Sequence, residues 1–242
     1  MNASNTAMQR SVSITVVIPT WCEAGRVARA VALASELGDE VIVADAASPD
    51  ETANVARRAG ARVVIAPRGR GAQRHAGAAA AKGDVLLFLD PDAELDAEAG
   101  AAIRAALSDP ETVGGNFRVR YEPVSLAARL FSWAADARRR WLGVYYGDSG
   151  LFLRRRVYES LGGFAPIPLF DDYELIRRMG SVGRTVYVRD VVLRASARRV
   201  ARAPLLTLAL WGVLQALYAL GVSAHRLAGG ARPTLVPQRR GA

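Results

Sequence analysis

The chain is 242 residues long, 51% hydrophobic and carries a formal net charge of +9. A chain of that length buries a sizeable core, and that composition excludes disorder as the default. The charge is almost wholly arginine, Lys82 being the only lysine, and a basic surface suits nucleic acid, anionic lipid or a polyphosphate substrate. No zinc-finger spacing, RNP-like aromatic pattern or helix-turn-helix is present, so nucleic acid is not an expected partner. Cys22 stands alone, which excludes an internal disulfide and a cysteine zinc site. His75 and His225 are the only histidines, which disfavours a histidine metal cluster or a Ser-His-Asp triad. Met1–Ser11 is polar and lacks the apolar core of a signal peptide, so a catalytic part facing the cytoplasm is expected.

Taken in order, Ile14–Pro19 is a β-branched run that predicts a buried first strand, and Gly25–Leu37 a helix closed by Gly38. Val41–Asp45 is a second strand. Ser48-Pro49-Asp50-Glu51 reads as a capping box with proline at the first helical position, starting a helix that runs to about Gly60. Arg62–Ala66, Arg74–Lys82 and Val85–Leu89 follow as strand, helix and strand. Four strands alternating with three helices predict a parallel sheet with right-handed crossovers.

The fourth of these strands belongs to Asp84–Asp92, an apolar run that ends in two carboxylates separated by Pro91. Ligands of open α/β sheets bind beyond the carboxyl ends of the strands. Asp90 and Asp92 stand there, and carboxylates held this close repel unless a cation sits between them. Two oxygen ligands suit magnesium, which fills its remaining positions with water and phosphate oxygens; the plain alternative is an acidic turn. Pro19, Thr20 and Glu23 after the first strand and Asp45 after the second gather on the same rim. The first strand is followed by neither Gly-x-Gly-x-x-Gly nor a Walker A lysine motif, which disfavours a dinucleotide dehydrogenase or P-loop enzyme.

Ile14–Glu23 resembles the Ile-Pro-Thr-x-Asn-Glu opening of family 2 glycosyltransferases. Asp45–Thr52 is similar to their Asp-x-x-Ser-x-Asp-x-Thr segment, Arg74–Gly77 to Arg-Asn-x-Gly, and Gly83–Asp92 to Gly-Asp-x-x-x-x-Leu-Asp-x-Asp. Further on, Gly114–Phe117, Tyr146–Gly150, Gly162–Phe164 and Leu169–Asp172 resemble the radical-SAM/selenodomain-associated transferase subgroup. The resemblance implies a GT-A fold, Rossmann-like, with a mostly parallel sheet flanked by helices. It also implies a nucleotide-diphosphate sugar donor and a divalent metal, Mg2+ or Mn2+. Pro19, Thr20, Glu23 and Asp45 match positions that hold the nucleoside, Arg74 a donor-binding arginine, and Asp90 and Asp92 the metal-binding pair. Of that pair, Asp92 is expected on the metal and Asp90 on the ribose or behind the metal's ligands. Asp172, with Asp171 beside it, matches the catalytic acidic pair, and Asn116, Gly147 and Asp148 fall on the acceptor side. The chain departs from the family pattern at Cys22, His75, Asp171 and Val200.

In the second half, Thr112–Arg120 predicts a strand and Leu126–Val144 an amphipathic helix. Asp171 and Asp172 open a helix over Tyr173–Met179, with Asp171 as a good N-cap and Asp172 free to face the cleft. The expected mechanism is single displacement with inversion. Asp172 takes the proton of an acceptor hydroxyl, and the metal offsets charge on the departing diphosphate. Pro204–Val222 is apolar and close to the length that spans a bilayer, with arginines on both sides. It could span, lie in the membrane interface or dock on protein.

The expected organisation is therefore a transferase domain over 1–202, a hydrophobic C-terminal helix over 203–228 and a disordered tail over 229–242. The expected activity is a metal-dependent hexosyltransferase at the inner face of the cell membrane. Its acceptor would be a hydroxyl or carboxyl, on a lipid-like molecule of polyprenyl or carotenoid type. The rivals are a sugar nucleotidyltransferase and a catalytically idle nucleotide-binding or membrane-scaffold module.

Overall fold

The computed structural model describes residues 12–197 and 204–235. The first half alternates as the apolar runs predict: β1 (Ile14–Thr20), α1 (Val27–Leu37), β2 (Glu40–Asp45), α2 (Thr52–Arg58), β3 (Arg62–Ile65), α3 (Arg70–Ala80) and β4 (Val85–Phe88). β1 pairs in parallel with β2 and β4, and β2 with β3. Side chains alternate across the pleat. Val16, Ile18 and Leu87 face a core shared with Val27, Val31 and Ile103, whereas Val17, Leu86 and Phe88 face the opposite layer with Leu175 and Met179. Strands covered on both faces are apolar throughout, which is why these runs show no polar alternation.

The second half contributes β5 (Glu94–Leu95), α4 (Ala99–Ala106), β6 (Thr112–Glu122), α5 (Leu126–Leu142), a 3-10 turn at Gly147–Ser149, β7 (Phe152–Arg154), α6 (Arg155–Ser160), α7 (Asp171–Val182) and β8 (Arg184–Ser196). Together they extend the sheet to eight strands in the order β3-β2-β1-β4-β7-β6-β8-β5. β7 runs antiparallel to both β4 and β6, and β5 antiparallel to β8. The sheet is thus mixed rather than mostly parallel.

Three helix starts differ from the sequence expectation. The capping box at Ser48 does not form, because the Ser48 hydroxyl donates to Asp45 and the helix begins later, at Thr52. α3 begins at Arg70 rather than Arg74, since Gly69 at φ +138° supplies the break in the chain that precedes it. α7 takes Asp171 into its first turn, with Phe170 rather than Asp171 at the cap.

The expected single helix over 203–228 is two: α8 (Pro204–Ala219) and α9 (Ala224–Leu235), parted at Gly221 with φ +93°. Among the described residues no helix is long and apolar enough to cross a membrane. Instead Leu214 of α8 and Leu227 of α9 bury themselves against Phe170. The tail expected to be disordered from Gly229 is helical as far as Leu235. Its last residues, like Met1–Ser11 and Arg198–Ala203, lie outside the described residues.

The β6–β7–β8 junction leaves no room for side chains at Gly114 and Gly115. A Cβ at Gly115 would collide with the carbonyl oxygen of Val186, and one at Gly114 with that of Phe152. Gly115→Ala is expected to destabilise the fold by about 1–3 kcal/mol, the range for overpacking, read as a lower urea midpoint.

Candidate active site

The site is built where the parallel strands end. Thr20 closes β1 and donates through its hydroxyl to Asp45 Oδ1 (2.9 Å) at the end of β2. Asp45 is fully buried and also accepts from the Ser48 hydroxyl and backbone N–H, both at 2.7 Å. From α3, the Gln73 amide donates to the carbonyls of Thr20 and Ala44, tying the two strand ends together. Pro19 is buried in β1. Glu23 starts α1 through its carbonyl, which accepts from the Arg26 and Val27 N–H groups, while its carboxylate pairs with Arg26 at 3.0 Å. The four residues expected to hold a nucleoside therefore share one rim, with Asp45 lying beneath it as a brace rather than as an open contact.

Beyond β4, Asp90 is held by two guanidinium groups: Arg70 at 3.1 Å and Arg74 at 3.0 Å. The cations that relieve repulsion in the Asp90–Asp92 pair are thus partly supplied by the protein. Asp92, past the Pro91 turn, is exposed. Among the described residues no group of three or more His, Cys, Asp or Glu side chains is placed to hold a metal ion. The donor set is two hard carboxylates, one of them open to solvent. It fits a magnesium- or manganese-like ion whose other ligands come from water and a bound phosphate.

Arg74 is completely buried. Its Nη2 donates to Asp90 Oδ1 and, at 3.3 Å, to the carbonyl of Gly147. The Gly147 N–H in turn donates to Asp172 Oδ2 at 2.7 Å, and Asp172 Oδ1 accepts from the Tyr173 N–H. A continuous polar link therefore runs from the strand-end acid Asp90, through Arg74 and Gly147, to Asp172 at the start of α7. Gly147 has to be glycine here. A Cβ would stand 2.5 Å from Arg74 Nη1 and 3.0 Å from Asp172 Oδ2. Asp172 is only 8% exposed, more enclosed than a residue free to face a cleft.

Asp171 lies against Gly71 of α3, and its Oδ2 is buried without a hydrogen-bond partner. Burial, and then the neighbouring Asp172, raise its carboxyl above the usual range. Asp148 accepts from the Tyr121 hydroxyl at 3.1 Å, and burial pushes its carboxyl up as well. Asn116, expected on the acceptor side, is buried in β6, where its amide accepts from Arg139 Nε (2.8 Å) and donates to Ser149. It supports the loop that carries Gly147 and Asp148 and does not present its own amide to solvent.

Sequence reasoning missed Arg70, Gln73 and Arg139. Arg70 is one helical turn before Arg74 and on the same face, a signal that appears once the helix is started at Gly69. The Asp90 carboxylate raises the Arg70 guanidinium further above its already high value. Gln73 and Arg139 act through long-range contacts for which the sequence holds no local signal.

The site is thus an acidic, arginine-braced rim at the strand ends of a mixed α/β sheet. The model of glycosyl transferase family 2 matches residues 15–162, more than half of the chain, and the protein belongs to that family. A TPR repeat-containing protein of Synechococcus elongatus is 34% identical over 141 residues, covering 54% of this chain and 34% of that one. An uncharacterised glycosyltransferase of Mycobacterium tuberculosis is 41% identical over 86 residues, covering 35% of this chain and 39% of that one. The chain thus spans well under half the length of these curated relatives.

Among solved structures, a mannosyltransferase of Pyrobaculum calidifontis in complex with GDP-Man and Mn2+ superposes with a TM-score of 0.60 at 21% identity. That superposition covers 95% of this chain and 82% of that one. The glucosyl-3-phosphoglycerate synthase of M. tuberculosis, in complex with Mn2+, UDP and phosphoglyceric acid, gives 0.60 at 21% identity over 87% and 79%. The shared fold is GT-A-like, as the motifs implied.

The buried Asp171 carboxylate, whose Oδ2 has no hydrogen-bond partner among the described residues, sets a pH dependence. Its pKa is raised in the fold, so its charge destabilises the protein, and that penalty grows as pH climbs from the ordinary carboxylate range through the raised value. Asp171→Asn is expected to raise Tm at neutral pH, with the gain vanishing in acid below the ordinary range, as followed by thermal melts across pH.

Proposed function

We propose that the protein is a metal-dependent, inverting glycosyltransferase that moves a hexosyl group from a nucleotide-diphosphate sugar to a hydroxyl or carboxyl of a lipid-like acceptor. The observation that carries this reading is the Asp90–Arg74–Gly147–Asp172 link, which ties a strand-end acid to a second acid across the rim in a chain of family 2. The radical-SAM/selenodomain-associated motifs at Tyr146–Gly150 and Leu169–Asp172 contribute two of its members.

In this reading Asp172 is the base. Both its oxygens accept from backbone N–H groups, so the carboxylate is fixed in orientation before an acceptor arrives. It takes the acceptor proton as the acceptor oxygen attacks the anomeric carbon opposite the departing diphosphate, and a single displacement of that kind inverts configuration. Arg70 and Arg74 set the position of Asp90 and bring positive charge to the diphosphate side. Asp92, with Asp90 beside it, would hold a divalent cation, which when bound supplies Lewis-acid charge for the leaving diphosphate. Thr20 and Glu23 line the nucleoside end, and Asp45 braces it from below. The donor and metal assignment draws support from the GDP-Man, UDP and Mn2+ bound to the two solved relatives.

The lipid-like acceptor draws support from the packing of α8 and α9 at the acceptor side, where Gln215 accepts from the Tyr146 hydroxyl next to Gly147. A location at the inner face of the cell membrane is part of the same proposal.

A thermal-shift series of nucleoside diphosphates with and without Mn2+ tests the donor and metal reading. Metal-dependent stabilisation by one of them is expected, and Asp92→Ala should remove the metal-dependent part. Stabilisation by none would favour the idle scaffold instead. Asp172→Asn is expected to keep donor binding while transfer falls by about 10²–10⁴-fold, the range for a lost general base. Full transfer activity in that variant overturns the base assignment.

A further inference from the structure

Two adjoining helices of this protein present apolar side chains that nothing among the described residues covers. On α5, Leu126, Leu130, Trp133 and Trp141 lie on one side of the helix at spacings of three, four and eight residues. Leu126 is 86% exposed, Trp133 60% and Trp141 72%. The two indoles meet edge to face, with centroids 6.4 Å apart, one helical turn to either side of the buried Ala137. α8 touches α5. It buries Leu214 and leaves Leu206, Val213 and Leu217 exposed, as is Leu220 just past its end. Scattered exposed leucines are ordinary, but two neighbouring helices with continuous outward apolar stripes are not.

The net charge carried by these helices is positive. Arg129 and Arg140 are exposed on α5 beside the tryptophans. Asp136, the only acid of that helix, is engaged by Arg140 and by the Tyr187 hydroxyl. α8 contains no charged residue and α9 no acidic one, while Arg226 of α9 is exposed. Indoles and leucines flanked by arginines match the acyl–headgroup boundary of an anionic bilayer. There the rings sit at headgroup depth and the guanidinium groups meet lipid phosphates.

We propose that α5 and α8 together form a surface on which the protein lies in the plane of an anionic membrane, with Trp133 and Trp141 as its anchors. The proposal deepens the reading of a membrane-borne acceptor and rests on that reading for its purpose, but not for its test. α8 also packs on Phe170, the residue before Asp171 and Asp172, so the docked surface adjoins the acceptor side of the site.

The test is vesicle flotation of the full chain without donor or metal, so that a failed transferase assignment leaves its result intact. The wild type is expected to float with vesicles of phosphatidylcholine and phosphatidylglycerol, to float weakly with phosphatidylcholine alone, and to be released by high salt. The double variant Trp133→Ser, Trp141→Ser should partition at least about tenfold less, as loss of two buried indoles requires. Its melting curve should match the wild type, because both side chains are exposed. Should that variant fail to fold, Leu206→Ser with Val213→Ser reads the same loss from α8. Wild-type protein that stays in the aqueous fraction with both vesicle types, or a double variant that floats equally well, overturns the proposal. Absence of flotation together with a wild-type dimer that the tryptophan variant converts to monomer would assign the face to a second copy of the chain.

Discussion

The arrangement of the site depends on one buried guanidinium. Arg74 has no exposure to solvent, and it joins the end of β4 to the turn before β7 by donating to Asp90 and to the Gly147 carbonyl. A buried cation is tolerated only where it is paired, and removing one partner of such a pair costs about 3–5 kcal/mol. The Arg74–Asp90 pair therefore constrains both partners. Asp90 cannot leave without stranding Arg74, and Gly147 cannot acquire a side chain without displacing it. Arg74 Nε and Nη1 have no hydrogen-bond partner among the described residues.

The fold of the first half was legible because its signals are local. Strands buried on both faces read as short apolar runs, and a carboxylate at the end of such a run falls on the rim by topology alone. Thr20, Asp45, Asp90 and Asp92 could therefore be placed without coordinates. The second half resisted for the opposite reason. The antiparallel entry of β7 between β4 and β6 is fixed by the close approach that Gly114 and Gly115 permit, and a glycine pair in a sequence does not say which backbone will approach it. The capping box at Ser48 misled because its hydroxyl oxygen accepts from a distant donor, the Cys22 N–H, while its proton goes to Asp45. Asn116 was seen as an important residue, but its partner Arg139 lies across a helix–sheet contact and no spacing announces it.

Phe170 connects the chemistry to the C-terminal helices. It adopts φ +62°, a left-handed conformation that a bulky side chain holds only when its surroundings enforce it. The enforcement is aromatic: Tyr218 lies 5.0 Å and Trp211 5.9 Å from its ring, and Leu214 and Leu227 close the cluster. Because Phe170 is the cap of α7, its backbone sets how Asp171 and Asp172 enter the site. Helices that look like an appendage in the sequence thus act as a clamp on the acidic pair.

That clamp also explains the composition of α8. A helix on a globular surface normally shows one apolar stripe and one polar face, whereas α8 is apolar all round. Its inner face is accounted for by Phe170 and Tyr173, on which Trp211 and Tyr218 pack, and its one strongly polar residue in mid-run, Gln215, points inward to the Tyr146 hydroxyl. Gln215 therefore says nothing about how the opposite face meets its surroundings. Leucine and valine persist there against the solubility cost of exposed hydrocarbon, and the matching stripe on α5 lies alongside. An outward apolar face of this kind is sustained when a second apolar phase covers it during function. In the proposed docking a bilayer would do so while leaving the inner face free to hold Phe170, so that one helix sets the acidic pair and meets the lipid at once.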